Sequence, residues 1–596
     1  MKILLMSTAY NSLSQRANLE LQALGHETSV VLSLSAKEML KAVDLYRPDL
    51  IVCPFLKDRV PEKIWKKHVC IIIHPGIKGD RGASSLDWAI INQEQEWGVT
   101  ALQADQEMDA GAIWSTKNFK MRDGASKAGL YRIEVSNTAI DVLLEAVERF
   151  ESGSFTPEEL DYKKPDVHGK LQPNVKQKER AIDWAHDSTD LVMRKILAAD
   201  SFPGVLDEIH GTEYYLFGAH QETELTGTPG EIIAQRTGAI CRATKDGAVW
   251  VSHLKERKKN AFKLPAAQQL DLLIDDIPEV PLDLLDMGKH GTYREIWYEE
   301  QNDVGYLHFD FHNGAMSTEQ CLRLRAAYLS ARTRSTKVIV LMGGKEFWSN
   351  GIHLNTIEAA DHSGHESWRN INAMNDLVLD IINTDTHLTI SSVWGSAGAG
   401  GVILGLATDK AFARKGVIMN PHYKLMGLYG SEYWTYLLPK RVGQNKALEL
   451  TENTLPVGMQ EAKAIGLIDR ILPNDHSEYI SNLREEAEKL ANSSQYFIWL
   501  AEKEQQRAAD EQVKPLAEYR KEELTEMKKA FYQADSLYHL ARRDFVLKVK
   551  PKQTPVYLAK HLLQKRKSFP FFNILSKKDE RNNAPKSTFE LLMDNG

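Results

Sequence analysis

The feature that most limits what this chain can fold into is the run at 391–409, Ser-Ser-Val-Trp-Gly-Ser-Ala-Gly-Ala-Gly-Gly-Val-Ile-Leu-Gly-Leu-Ala-Thr-Asp. Apolar β-formers lead into clustered glycines and then an apolar stretch of helical length, the pattern of a strand, a tight loop and a helix start. Gly398, Gly400 and Gly401 let the backbone turn sharply and bring bare N–H groups up to a ligand, where the helix start favours negative charge. Upstream, 338–354 reads Val-Ile-Val-Leu-Met-Gly-Gly-Lys-Glu-Phe-Trp-Ser-Asn-Gly-Ile-His-Leu, a second strand and loop with a turn at Asn350 and Gly351. Two such loops can aim two backbone N–H groups at one point. Either loop alone is also compatible with an ordinary βα turn.

With 596 residues the chain exceeds the roughly 250 to 300 at which one core stops growing, so several domains are expected. The 74 Lys+Arg against 81 Asp+Glu give a net charge of −7, and no basic half argues for nucleic acid. No apolar run reaches the ~18 residues of a membrane span, and Met1-Lys-Ile-Leu-Leu-Met enters a strand-like segment without a secretory cleavage pattern. Cys53, Cys70, Cys241 and Cys321 are scattered, with neither disulfide-framework density nor metal-ligand spacing. A cytoplasmic location, buried thiols and no metal are the expectations.

At the amino end, apolar runs at 2–8, 27–33, 48–53 and 69–73 alternate with helical patterns such as 12–24 and 35–45. This predicts βαβ units, a doubly wound parallel sheet, and ligands beyond the carboxyl ends of its strands. There lies Ile73-His-Pro-Gly-Ile-Lys-Gly-Asp-Arg-Gly-Ala-Ser-Ser-Leu86, followed by a further strand at 98–105 and by Glu107-Met-Asp-Ala-Gly-Ala-Ile113. A strand-end His74 and a loop Asp109 make an acid–base pair in which the carboxylate orients the imidazole. Helix capping by His74 and turn closure by Asp109 are the alternative.

The His-Pro-Gly, Arg-Gly-Ala-Ser-Ser and Met-Asp-Ala-Gly motifs resemble the formyltransferases that use N10-formyltetrahydrofolate, over about 1–270. The resemblance implies His74 and Asp109 as catalytic groups and folate against Phe55, Leu56, Lys57, Arg81, Gly82 and Gln103. One position departs: Ile72 stands where the family has an Asn, whose amide would donate to the formyl oxygen. Losing such a donor costs on the order of 3 to 4 kcal/mol in an oxyanion site, and Gln103, Ser84 and Ser85 are the neighbours that could replace it.

The domain boundaries read as a formyltransferase-like domain at 1–161, a Lys/Pro-rich linker at 162–181, an OB-like barrel at 182–270 and an acidic linker at 271–292. A domain at 293–475 and a charged helical region at 476–596 follow. The two glycine loops, Asp409 and the Gly-Leu-Ile-Asp469 ending resemble the crotonase (enoyl-CoA hydratase/isomerase) superfamily, a ββα spiral. That resemblance implies Asn350 and Gly400 as oxyanion donors and coenzyme A against Trp348, Ser349, Asn350, Gly400 and Gly401. The hydratase carboxylates are absent, with Ile403 and Tyr423 at their positions. Glu432 is the nearest new carboxylate, and Tyr423 and Glu432 become the candidate catalytic pair.

Joined in this order, the two halves resemble the HypX family of [NiFe]-hydrogenase maturation proteins along essentially the whole chain. The resemblance implies formyl transfer from N10-formyltetrahydrofolate to coenzyme A, decarbonylation of formyl-CoA to CO and CoA, and possible hydrogenase-maturation partners. Two other readings remain at this stage. One is a formyltetrahydrofolate hydrolase or transferase with an inert crotonase-like lobe; the other is a non-catalytic maturation scaffold.

Overall fold

The computed structural model describes residues 1–285 and 291–562. The rest of the acidic linker and of the expected C-terminal helical region, 286–290 and 563–596, lies outside the described residues. The chain divides into two compact units. One holds Met1–Ala181, Arg194–Leu206 and the described residues from Lys548; the other holds Ile182–Met193 and Asp207–Leu547.

In the first unit, β1 (Lys2–Ser7), β2 (Glu27–Leu32), β3 (Leu50–Phe55), β4 (Cys70–His74), β5 (Glu96–Gln103) and β6 (Ile113–Lys120) form one sheet in the order β2-β1-β3-β4-β5-β6. Successive strand residues feed opposite cores, because the side-chain period of a strand is two. Ile3, Leu5, Val52, Ile71 and Ile73 pack on one face, and Leu4, Met6, Ile51, Cys53 and Cys70 on the other. The sheet is parallel only as far as β4. The β4–β5 and β5–β6 pairs are antiparallel, and β6 turns an exposed polar stretch to water, as an antiparallel edge permits.

Two segments do more than their composition indicated. The 162–181 stretch runs against the loop after β4: Gly169 N–H donates to Lys78 O at 3.0 Å and Gln172 N–H to Arg81 O at 2.9 Å. A Cβ on Gly169 would collide with the Asp80 backbone, so only glycine allows this approach. At the other end of the chain, residues 554–561 belong with this unit and not with a helical C-terminal layer. Val30 N–H donates to Leu558 O at 3.1 Å and Leu32 N–H to Thr554 Oγ1 at 3.0 Å, which satisfies the free edge of β2.

After Ile182–Met193 the second unit resumes at Asp207, within β7 (Val205–Ile209), and continues with β8 (Thr212–Glu222), β9 (Ile232–Arg236), β10 (Ala239–Ala243), β11 (Ala248–Glu256) and β12 (Leu264–Pro265), in the order β7-β8-β11-β10-β9 with β12 on β11. The acidic linker docks on the β9 edge, where Gln235 N–H donates to Pro278 O and Val280 N–H to Gln235 O, both at 2.9 Å.

The crotonase-like part follows with β13 (Ile296–Gln301), β14 (Val304–Phe309), β15 (Val338–Gly343), β16 (Phe347–Ser349), β17 (Leu388–Val393), β18 (Ser396–Gly398), β19 (Lys410–Arg414), β20 (Ile418–Asn420), β21 (Val457–Gly458) and β22 (Arg470–Leu472). Six of these form the sheet β13-β14-β15-β17-β19-β22 and four the smaller sheet β16-β18-β20-β21. Each of β15, β17 and β19 runs within a few residues into a strand of the small sheet, so the loops that follow converge on one place. Helices His476–Ala491, Tyr496–Val513, Leu516–Tyr532 and Leu537–Val546 complete the unit. All four cysteines are free and buried. Among the described residues no helix is long and apolar enough to cross a membrane, and no group of three or more His, Cys, Asp or Glu could hold a metal.

Candidate active sites

A cleft of about 880 Å³ opens beyond the strand ends of the first unit, lined among others by Phe55, Leu56, Lys57, Ile72, His74, Gly82, Gln103 and Asp109. His74 is the last residue of β4 and is 4% exposed. Its Nε2 lies 2.8 Å from Asp80 Oδ2, whereas Nδ1 is 3.7 Å from Asp109 Oδ2, beyond hydrogen-bond distance. The orienting role expected of Asp109 therefore belongs to Asp80, which is buried and has no partner on its Oδ1. Asp109 takes a left-handed backbone (φ 56°), and its Oδ2 receives the Gly82 N–H at 3.3 Å.

Four side chains expected at or beside the folate site have other work. Arg81 is absent from the cleft lining; it braces the loop carrying Asp109, with Nη2 at 2.9 Å from Glu107 Oε2 and Nε donating to Met108 O. Ser84 Oγ accepts from Val175 N–H and Ser85 Oγ donates to Pro75 O. Gln103 reaches the cleft, but it stands opposite Ile71 in register, hence on the other face from His74, and its Oε1 accepts from Trp114 Nε1. Both serines are thus committed away from the place of the amide missing at Ile72, and Gln103 stands on the sheet face opposite to it.

In the second unit the expected pairing of Tyr423 with Glu432 is present. Tyr423 Oη donates to Glu432 Oε2 at 2.8 Å, Ser431 N–H donates to the same oxygen at 3.1 Å, and the Glu432 side chain is 1% exposed. Its carboxylate lies directly against Gly400, so closely that a Cβ there would overlap it. Burial pushes the Glu432 carboxyl up to about 7, with the nearby Glu523 adding to the rise and the Tyr423 hydroxyl opposing it. Burial and then the Glu432 charge push the Tyr423 phenol well above its ordinary value. Glu432 and Tyr433 both hold φ of 60°, a conformation that costs non-glycine residues on the order of 1 kcal/mol or more each.

The oxyanion donors need correction. Asn350 N–H is spent on Gly314 O at 2.7 Å and its side-chain Nδ2 on Asn313 O at 2.7 Å. Gly351, with φ of 80°, packs beside Gly400 N, and its own N–H donates to Ser349 Oγ. Among the described residues neither the Ile352 nor the Gly400 N–H has a hydrogen-bond partner. Those two, one per loop, form the available pair.

Family comparisons agree with this architecture part by part. Formyl transferase matches residues 11–146, its C-terminal domain 174–268, and enoyl-CoA hydratase/isomerase 299–553. The chain is 45% identical to the hydrogenase maturation factor HoxX of Bradyrhizobium diazoefficiens, over 96% of this chain and 99% of that protein. The chain belongs to the HypX (HoxX) family of hydrogenase maturation factors. A HypX crystal structure from Aquifex aeolicus in complex with tetrahydrofolic acid superposes with a TM-score of 0.91 at 44% identity, covering 96% of this chain and all of that one. Methionyl-tRNA formyltransferase of Enterococcus faecalis matches only 36% of this chain, at 28% identity.

In this HypX-family chain the remaining expected coenzyme A contacts are structural. Trp348 is buried with Nε1 donating to Gly401 O at 2.8 Å. Ser349 is fully buried beside Met316, and Gly401 is pressed against the Ser349 carbonyl, so both lock the two loops together. His353 and His422 are pushed down to about 4 by burial and so stay neutral at pH 7.

Proposed function

We propose that the first unit transfers the formyl group of N10-formyltetrahydrofolate to the coenzyme A thiol and that the second unit decarbonylates formyl-CoA to CO and CoA, supplying CO for [NiFe]-hydrogenase assembly. The observation that carries the reading is the Glu432 carboxylate against Gly400, where a hydratase would need carboxylates this chain lacks.

In the first step His74 takes the thiol proton as sulfur attacks the formyl carbon. It returns that proton to folate N10 as the C–N bond breaks. Asp80 on Nε2 fixes the ring orientation and leaves Nδ1 to work, the logic of an Asp–His dyad. Asp109 stands beside Nδ1 and favours the charged imidazole formed in passing.

In the second step the Ile352 and Gly400 N–H groups hold the thioester oxygen. Glu432 removes the formyl hydrogen as a proton while the C–S bond breaks, and that proton ends on the thiolate sulfur. The products are CO and CoA, with no oxidant or reductant needed. A carboxyl near 7 is well matched to this task, because it is ionised often enough to accept a proton and basic enough to hold it. Tyr423 fixes Oε2 and leaves Oε1 toward Gly400.

Incubation with formyl-labelled folate and CoA should release labelled CO into the headspace. Labelled formate without CoA dependence would instead identify a hydrolase.

A further inference from the structure

We infer that Glu523, on helix Leu516–Tyr532, is a positioning residue for the decarbonylation site: its carboxylate clamps the Ser431–Tyr433 elbow and so sets both the place and the proton affinity of Glu432. The inference rests on the decarbonylation reading of the Glu432 site and deepens it.

The elbow is an unfavourable piece of backbone. Glu432 and Tyr433 stand consecutively in the left-handed region without being glycine, and the helix Trp434–Val442 that follows has no capping side chain from its own N-cap residue. Two side chains from other helices hold it. Asn375 Oδ1 accepts the Glu432 N–H at 2.8 Å. Glu523 accepts four donors: Tyr433 N–H at 3.0 Å and Ser431 Oγ at 3.3 Å on Oε2, and Thr435 N–H at 2.9 Å and Thr435 Oγ1 at 2.5 Å on Oε1. Glu523 is fully buried, and an amide in its place offers only one accepting atom for those donors.

Charge adds to geometry. The groups facing Glu432 are Tyr423, Glu523, the Cys321 thiol and the neutral Asn375. Those facing Glu523 include Tyr423, Tyr429 and Tyr433. Arg520 acts on the neighbouring Tyr433, while Glu432 itself feels the second carboxylate, which raises its pKa. Removing it makes Glu432 easier to ionise, and the limb on which CO release rises with pH moves down.

The test uses full-length protein with Glu523→Gln, Glu523→Asp and Glu432→Gln, assayed for CO release from formyl-CoA across pH. In Glu523→Gln we expect kcat to fall roughly 10-fold, KM to hold, and the rising limb to move down by about one pH unit. Glu523→Asp keeps the charge but reaches less of the elbow, so its limb should stay near the parent while kcat falls; if the Gln variant does not fold, an Asp variant with parental kcat overturns the proposal. In Glu523→Gln an unmoved limb overturns it whether or not the rate falls, and so does a rise in KM alone. Infrared difference spectra of the protonated-carboxyl stretch, with the Glu432 band identified by its loss in Glu432→Gln, read the same shift without turnover. Parental protein that releases no CO would break the decarbonylation reading, while the infrared shift still decides for or against Glu523.

Discussion

The two sites solve opposite problems. The cleft at His74 is roomy and open, with its working groups on strand ends and the loops beyond them. The Glu432 site is closed, with a carboxylate sealed at 1% exposure and its elbow pinned by Asn375 and Glu523. In the proposed reaction, transfer between two large diffusing substrates needs space for both at one imidazole. Decomposition of a single formyl thioester needs the reverse, because water admitted beside a polarised formyl carbonyl yields formate in place of CO. On this reading Ile403 serves the second site, since it takes away a carboxylate with which a hydratase would activate water.

The sharpest way to break this division is at His74. His74→Ala should slow formyl transfer from folate to CoA by roughly 100- to 10,000-fold, and Asp80→Asn by a similar factor through loss of ring orientation. Both should convert supplied formyl-CoA to CO at the parental rate. A matching loss of CO from supplied formyl-CoA would show that the sites do not divide the reaction. Next in size, Glu432→Gln and Tyr423→Phe should lower CO release about 100-fold while transfer, followed as loss of formyltetrahydrofolate in the presence of CoA, continues.

Protonation separates the sites again. With Glu432 as the proposed base, CO release should climb as pH rises through about 7 and level off above it. Stability runs the other way. Glu432 ionises near 4.3 in an unfolded chain and at about 7 when folded. Its raised value gives stability that is complete below the unfolded pKa and lost as pH climbs through the folded one. Above pH 7, Glu432→Gln should therefore melt at higher temperature than the parent in calorimetry, even as it stops releasing CO. A lower melting temperature at pH 8 would mean that the carboxylate is needed for the fold. The smallest effect is expected at β2, where Thr554→Val leaves the Leu32 N–H without its acceptor. It should cost the first unit about 1 kcal/mol in denaturant unfolding, without altering CO release from formyl-CoA.

The same contrast decides how much could be read from the sequence. His74 and Asp109 are legible because a strand-end His and a loop Asp stand in motifs that resemble the formyltransferases, and Glu432 because it is the one carboxylate in a long stretch. Asp80 is not, since it sits in an irregular loop whose path is set by the distant Gly169. The shift of donor from Asn350 to Ile352 depends on Gly314, whose carbonyl approaches through tertiary packing alone. Glu523 looks like one more solvated charge on an amphipathic helix, and only the fold shows that it points inward. The four runs read as a parallel sheet do form one, whereas residue patterns do not give the direction in which β5 returns.

The fastening of β2 by residues 554–561 also bears on how the molecule is made. A ribosome delivers the first six strands long before the residues that finish their sheet. For the whole time needed to add the intervening residues, the β2 edge offers unpaired N–H and C=O groups to any passing strand. The unit that starts the chain is thus among the last to be completed. Cells that make this protein quickly should depend on chaperones during that interval, and a fragment ended after Leu206 should clump unless the 548–562 peptide is supplied alongside it.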